Sequence, residues 1–266
     1  MKTVLLLLTV LALGVPSTSA QDWAKAKLQK SPRHQEWVPV KQGNREVHCF
    51  VVYPEVKDKA TVVVLIHENR GLTDWVRDAA DQFAEAGYIA VAPDLLSGMG
   101  PGGGKTSDFA GEDAATKAIY ALAPDQVTAD LNAVVADASK LPAANHKVVV
   151  AGFCWGGGQT FRFATNNKEI QAALVFYGTG PDKAEDIARL HCPVHGFYGG
   201  NDARVNATIP KSRELATQAG KTYEPVIYEG AGHGFMRAGE EPEAKEANRK
   251  ARDAAWARLK EVLKQI

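Results

Sequence analysis

The sequence predicts an α/β protein with one mostly parallel central sheet and helices on both of its faces. Short apolar, β-branched runs alternate with helical patterns from residue 46 to the end, which is how a chain builds crossovers between parallel strands. The run Thr61-Val62-Val63-Val64-Leu65-Ile66 offers no alternating polar face, so it suits a strand buried on both sides. No internal repeat or linker divides the chain. Its 266 residues and 45% apolar content therefore describe one domain with a sizeable core.

The elements follow in order. Lys2, the apolar run from Val4 to Leu13, Pro16 and the small residues Thr18-Ser19-Ala20 have the layout of a signal peptide over residues 1–20. Cleavage after Ala20 predicts an exported protein, periplasmic or secreted, beginning at Gln21. The apolar run is too short to span a bilayer and no stop-transfer segment follows, so no membrane span is expected. Residues 21–40, polar and interrupted by Pro32 and Pro39, are expected to wrap the surface as an N-terminal extension, with the domain itself over 41–266.

Strands are predicted over 46–53 and 61–66, then a helix over 73–86 that Gly87 stops. A strand over 88–92, an irregular stretch over 94–113 and a helix over 125–140 come next. Further strands are read at 147–151, 170–177, 194–198 and 222–228, with helices at 184–190, 210–219 and 241–266. In the last helix Ala251, Trp256, Leu259, Val262, Leu263 and Ile266 form a stripe opposite Glu246, Arg249, Lys250, Arg258 and Lys260, the pattern of a helix packed on a sheet.

Chemistry enters at Gly152-Phe153-Cys154-Trp155-Gly156-Gly157, directly after the strand at 147–151. A nucleophile on a sharp strand-to-helix turn needs small neighbours, because the backbone is strained there and the following helix packs close to the sheet. A thiol is competent at that place once it is ionised. Asp202 lies in Gly199-Gly200-Asn201-Asp202 and His233 in Gly232-His233-Gly234-Phe235, each just past a predicted strand, where open α/β sheets gather their ligands. The chain order nucleophile, acid, base is that of an α/β-hydrolase triad. His233 would exchange a proton with Cys154, and Asp202 would hold the imidazole tautomer. The α/β-hydrolase fold places the oxyanion donors on the backbone N–H groups of Trp155 and Asn69.

These three segments together resemble the dienelactone hydrolase family of α/β-hydrolases, from about residue 47 to the C-terminus. Leu65-Ile66-His67-Glu68-Asn69-Arg70-Gly71-Leu72 is similar to that family's loop after an early core strand. The resemblance implies that Glu68 contacts the resting thiol and is redirected by substrate so that Cys154 ionises. A bare alternative is that Glu68 braces its loop against Arg70. Arg237, four residues after His233, matches one of the family's substrate-carboxylate arginines; the other has no secure match, with Arg77 and Arg204 as nearby candidates. The activity implied is hydrolysis of a small ester or lactone through an acyl-cysteine, with no metal or organic cofactor. An acyltransferase using the same triad, or a non-catalytic small-molecule binding protein, is the alternative.

Other signals fail on spacing or charge. Equal counts of basic and acidic residues, 31 each, leave no footprint for nucleic acid. The stretch from Gly98 to Thr106 ends Gly-Lys-Thr, but Met99 stands where a phosphate loop requires glycine; a mobile flap near the active-site edge is expected instead. His67-Glu68 opens like a zinc-protease motif, but Gly71 occupies the second histidine's position. His191 and His195 are read as packing residues. Of three cysteines, Cys49 and Cys192 are read as inert core thiols rather than a disulfide. The sequence is silent on oligomeric state.

Overall fold

A computed structural model describes residues 21–266; the predicted signal peptide lies outside the described residues. The chain runs α1 (Asp22–Leu28), β1 (Gln35–Gln42), β2 (Arg45–Val52), β3 (Ala60–Ile66), α2 (Asp74–Glu85) and β4 (Ile89–Pro93). It continues through α3 (Glu112–Tyr120), α4 (Pro124–Ala138), β5 (Ala144–Phe153), α5 (Trp155–Ala164), β6 (Ala172–Phe176), α6 (Ala184–Ala188) and β7 (Val194–Gly199). The last elements are α7 (Ala203–Asn206), α8 (Ile209–Gln218), β8 (Tyr223–Tyr228), α9 (Phe235–Ala238) and α10 (Glu246–Leu263).

One eight-stranded sheet has the order β1-β2-β4-β3-β5-β6-β7-β8. Its first two pairings are antiparallel and the remaining five parallel. Side chains alternate across it: Val62, Val64 and Ile66 of β3 join the core cluster containing Leu131 and Val134 of α4, whereas Val63 and Leu65 join the one containing Trp75 and Phe83 of α2 and Leu259 of α10. All seven residues of β3 are buried, as a strand covered on both faces must be. The predicted stripe of α10 packs through Ala251, Ala255, Leu259 and Leu263.

Residues 21–40 depart from the expectation of a surface extension. Helix α1 packs on α2, and β1 pairs with β2 over its whole length, so the fold begins by Asp22. Pro39 misled, since proline removes a ladder donor; the outer strand of a sheet tolerates it, and β1 is that strand. The stretch from Gly98 to Thr106 differs as well. Gly100 and Gly104 bridge, and Thr106 donates to Asp94 through its N–H at 3.0 Å and its Oγ1 at 2.7 Å. The loop is tethered to the end of β4 and faces a cavity with Trp37 and Arg77 that does not include Cys154.

Cys49, Cys154 and Cys192 are all free. Burial pushes the Cys192 thiol up to about 12 and the Cys49 thiol higher still, which withholds the reactive thiolate and fits inert packing. His195 sits at 3.1 Å from Glu224, and the described residues hold no cluster of three or more His, Cys, Asp or Glu arranged for a metal. No described helix is long and apolar enough to cross a membrane.

Candidate active site

Cys154 stands between β5 and α5 with φ 56° and ψ −116°, a strained conformation for an L-residue that points its side chain off the sheet end. The strain is held from both sides. A Cβ on Gly152 would collide with the Gly156 carbonyl, and one on Gly156 with the carbonyls of Ile66 and His67 at the end of β3. The turn therefore forms only where α5 starts directly against the sheet.

His233 and Asp202 arrive on two loops stitched together. Asn201 N–H donates to the Ala231 carbonyl at 2.9 Å, and the Asn201 side chain donates to the Gly230 carbonyl at 3.0 Å. Asn248 of α10 accepts from Gly232 N–H at 2.9 Å, fixing the base loop to the domain's last helix. His233 Nδ1 then lies 2.5 Å from Asp202 Oδ2 and Nε2 lies 3.1 Å from Cys154 Sγ. Asp202 is buried, whereas the His233 side chain is about a third exposed at 34%. Hydrogen bonding to Cys154 and to Asp202 holds the His233 imidazole up to about 9, against the opposing effect of burial. The cation is thus favoured between two groups able to carry negative charge.

Neither the Trp155 N–H nor the Asn69 N–H has a hydrogen-bond acceptor among the described residues. The loop carrying Asn69 is braced by His67, whose fully buried ring accepts from Leu95 N–H through Nε2 at 3.3 Å and donates through Nδ1 to the Glu68 carbonyl at 2.8 Å. Burial lowers its pKa, which keeps the ring neutral and lets one nitrogen accept. The ring also stacks on Trp155, with centroids 5.7 Å apart and an interplanar angle of 14°, so both donor loops share one support.

Glu68 is placed differently from either expectation. Its Oε2 accepts from Arg237 Nε at 3.1 Å, while Cys154 is bonded to His233 and Arg70 pairs with Glu112 at 3.0 Å. Arg237 also donates to Glu241 at 2.9 Å. Its charge is therefore engaged by two carboxylates, and it does not line the cavity at Cys154; the substrate-carboxylate role implied for it is not supported. Arg77 pairs with Asp74 and lies over Phe50, and of the two other candidates only Arg204 lines the cavity.

That cavity, of about 470 Å³, opens beside Cys154. Its walls come from α5, Tyr120, the 179–181 loop, α6 with its C-cap Arg189, and Arg204, and the 94–113 stretch supplies none of its lining residues. Tyr177 is a site residue that sequence reasoning missed. It has φ 40°, is fully buried and meets the His233 ring edge-on at 5.2 Å. Burial and the nearby Glu68 carboxylate raise its pKa well above the ordinary phenol value, so it stays a neutral donor. An aromatic residue in left-handed backbone has no local sequence signal.

An α/β sheet with thiol, imidazole and carboxylate in line at its carboxyl end defines a protein of the α/β-hydrolase class. Residues 47–266 match the model of the dienelactone hydrolase family, and the chain belongs to that family. It is 33% identical over 206 residues to a Salmonella typhimurium protein named "Putative carboxymethylenebutenolidase", covering 73% of this chain and 74% of that one. Among solved structures it is similar to the Klebsiella pneumoniae "Putative Dienelactone Hydrolase", with TM-score 0.76, 25% identity, and coverage of 88% of this chain and 99% of the other. It also shares the fold of the dienelactone hydrolase-like promiscuous phosphotriesterase P91, with TM-score 0.74, 19% identity and coverage of 88% and 98%. The family makes this chain a hydrolase of small lactone or ester substrates.

Proposed function

We propose that the protein hydrolyses its lactone or ester through a Cys154–His233–Asp202 triad and an acyl-cysteine intermediate. The observation that carries this reading is the continuous line from Cys154 Sγ to His233 Nε2 at 3.1 Å and from His233 Nδ1 to Asp202 at 2.5 Å. The thiolate attacks the carbonyl, and negative charge gathers on the oxygen facing the Trp155 and Asn69 N–H groups. Collapse of the tetrahedral intermediate breaks the C–O bond. The imidazolium gives its proton to the departing alkoxide, leaving the acyl group on sulfur. Neutral His233 then takes a proton from water, the hydroxide attacks the thioester, and the thiolate and imidazolium are restored with release of the acid.

Glu68 belongs to this reading through its position. Held by Arg237, its carboxylate is kept from the thiol, which leaves Cys154 to His233; a carboxylate turned onto the thiol would oppose ionisation. Export to an oxidising compartment, read from residues 1–20, is part of the same proposal.

The test compares mature wild type with Cys154→Ala in reducing buffer on a dienelactone and a set of short aryl esters. Wild-type turnover is expected to fall by about a thousandfold or more in the variant. A slow ester should add its acyl mass to the peptide carrying Cys154. Equal activity of the two proteins, or acylation elsewhere, sinks the assignment.

A further inference from the structure

The stretch ending Gly104-Lys105-Thr106, which fails as a phosphate loop, carries a threonine that reaches the loop holding Asn69. Thr106 Oγ1 accepts from Leu72 N–H at 3.1 Å and donates to Asp94 Oδ1 at 2.7 Å. The direction of the second bond is set by chemistry, because an ionised carboxylate only accepts and a hydroxyl has one proton to give. That leaves an oxygen lone pair for Leu72. Asp94 is 1% exposed and also accepts from Thr106 N–H at 3.0 Å and from Leu96 N–H at 3.1 Å, so its carboxylate cannot swing away.

Thr106 is one of two pins on the same loop. Gly71 N–H donates to the Glu68 carbonyl at 3.2 Å, closing a turn with Asn69 and Arg70 at its centre. His67 fixes the entry to that turn through Leu95 N–H and the Glu68 carbonyl, and Thr106 fixes its exit at Leu72. The two anchors, Asp94 and Leu95, are consecutive residues directly past β4. The exit has no slack, since a Cβ on Gly71 would collide with the Thr106 hydroxyl. Neither Thr106 nor Asp94 lines the cavity at Cys154.

We propose that Thr106 is a positioning residue for the oxyanion: its hydroxyl, held by Asp94, sets the turn that aims the Asn69 N–H beside the Trp155 N–H. The inference rests on the hydrolase reading, which assigns those two N–H groups, and goes beyond it by naming what holds one of them. A pair of donors stabilises developing charge fully only when both are in place beforehand; a turn that must reorganise loses that stabilisation to its own ordering. Deleting the hydroxyl leaves Leu72 N–H without its acceptor and frees the exit of the turn. Cys154, His233 and Asp202 keep their line, because the bonds between them involve none of these residues.

The experiment measures kcat/KM of wild type, Thr106→Val and Thr106→Ser on a matched pair, 4-nitrophenyl acetate and its thionoester, in which sulfur replaces the carbonyl oxygen. Donors set at about 2.7–3.1 Å from an oxyanion do not fit the larger sulfur, so the thionoester reports on thiol and base without the full oxyanion contacts. Removing one such donor costs roughly a hundredfold to a thousandfold in rate, so displacing one in Thr106→Val should cost about tenfold to a hundredfold on the oxygen ester. The thionoester rate should change by less than about threefold, and Thr106→Ser, which keeps the hydroxyl, should recover most of the oxygen-ester rate. Loss of folded protein lowers both rates alike and leaves their ratio unmoved, which separates positioning from stability. Thr106→Ala, which deletes the hydroxyl without setting a methyl against Gly71, repeats the test should Thr106→Val not fold. A ratio unchanged from wild type, or Thr106→Ser as slow as Thr106→Val on the oxygen ester, overturns the proposal and leaves the hydrolase reading standing. If wild type turns over neither ester, the hydrolase reading is what fails. In that case, or if only the oxygen ester reacts, amide hydrogen exchange decides the pin: faster exchange at Leu72 in Thr106→Val than in Thr106→Ser upholds it, and equal exchange removes it.

Discussion

At the residue scale, His233 decides the pH behaviour. Its imidazole is raised to about 9, first by the hydrogen bond to Cys154 and then by Asp202, so the protonated form needed to expel an alkoxide persists well above the ordinary histidine value of about 6.5. The rate of acylation should therefore fall on the alkaline side near pH 9. Asp202→Asn removes one of the groups that raises the imidazole and disturbs the tautomer that presents Nε2 to sulfur. Its alkaline limb should move to lower pH, with kcat/KM down by about a hundredfold to ten-thousandfold. A pH–rate profile of the two proteins on one aryl ester checks both; an unmoved limb would mean that Asp202 does not tune the base. The same shift works on stability. A raised histidine contributes stability that is full below about pH 6.5 and lost as pH passes through about 9.

At the element scale, the nucleophile turn depends on how closely α5 approaches the sheet. Gly156 leaves no room for a Cβ against the backbone of Ile66 and His67, and the atoms in the way are all main chain that cannot rotate aside. Gly156→Ala should push α5 off β3, move Trp155 N–H relative to Asn69 N–H, and cut kcat far more than KM, since the oxyanion forms only in the transition state. A loss of about a hundredfold in kcat is expected, accompanied by a fall in melting temperature; unchanged kinetics would show that the donors are not set by this contact. The turn was legible from sequence because its glycines flank a strand and a nucleophile, and Asp202 and His233 because each follows a strand. Other features were not legible. Strand β1 was hidden by Pro39, which breaks a central strand but suits an edge, and edge position depends on which strands pair. The partner of Glu68 was hidden for a similar reason, since Arg237 lies 169 positions away and nothing local distinguishes it from Arg70.

At the scale of the whole molecule, the described chain closes on itself through a buried polar knot between its first and last helices. Glu240, just after α9, accepts from Lys27 of α1 at 2.7 Å, from Gln82 of α2 at 2.7 Å and from Trp75 Nε1 at 3.3 Å, and lies 3.3 Å from Arg252 of α10. Asp78 of α2 shares the knot, accepting from Gln82 at 2.9 Å with Lys27 at 4.0 Å. Burial first, and then the neighbouring Glu240 charge, push the Asp78 carboxyl up to about 7, with Lys27 pulling the other way. An aspartate raised in the folded state from about 3.9 in the unfolded one means that the folded chain binds the extra proton over that interval. Stability from this group is therefore full below about pH 4 and lost as pH rises through about 7. Asp78→Asn keeps an acceptor for Gln82 and removes the charge. Its melting temperature should exceed that of wild type at pH 8, and the difference should shrink steadily on going down to pH 5. A gap that stays constant across that range would mean the carboxyl does not titrate there and that Lys27 and Gln82 already neutralise it. The result would also show how the ends of the domain are joined, because α1 packs on α2 and meets the Glu240 loop through Lys27. Loosening the knot at high pH should raise amide hydrogen exchange in α1 before it does so in β3 or β5.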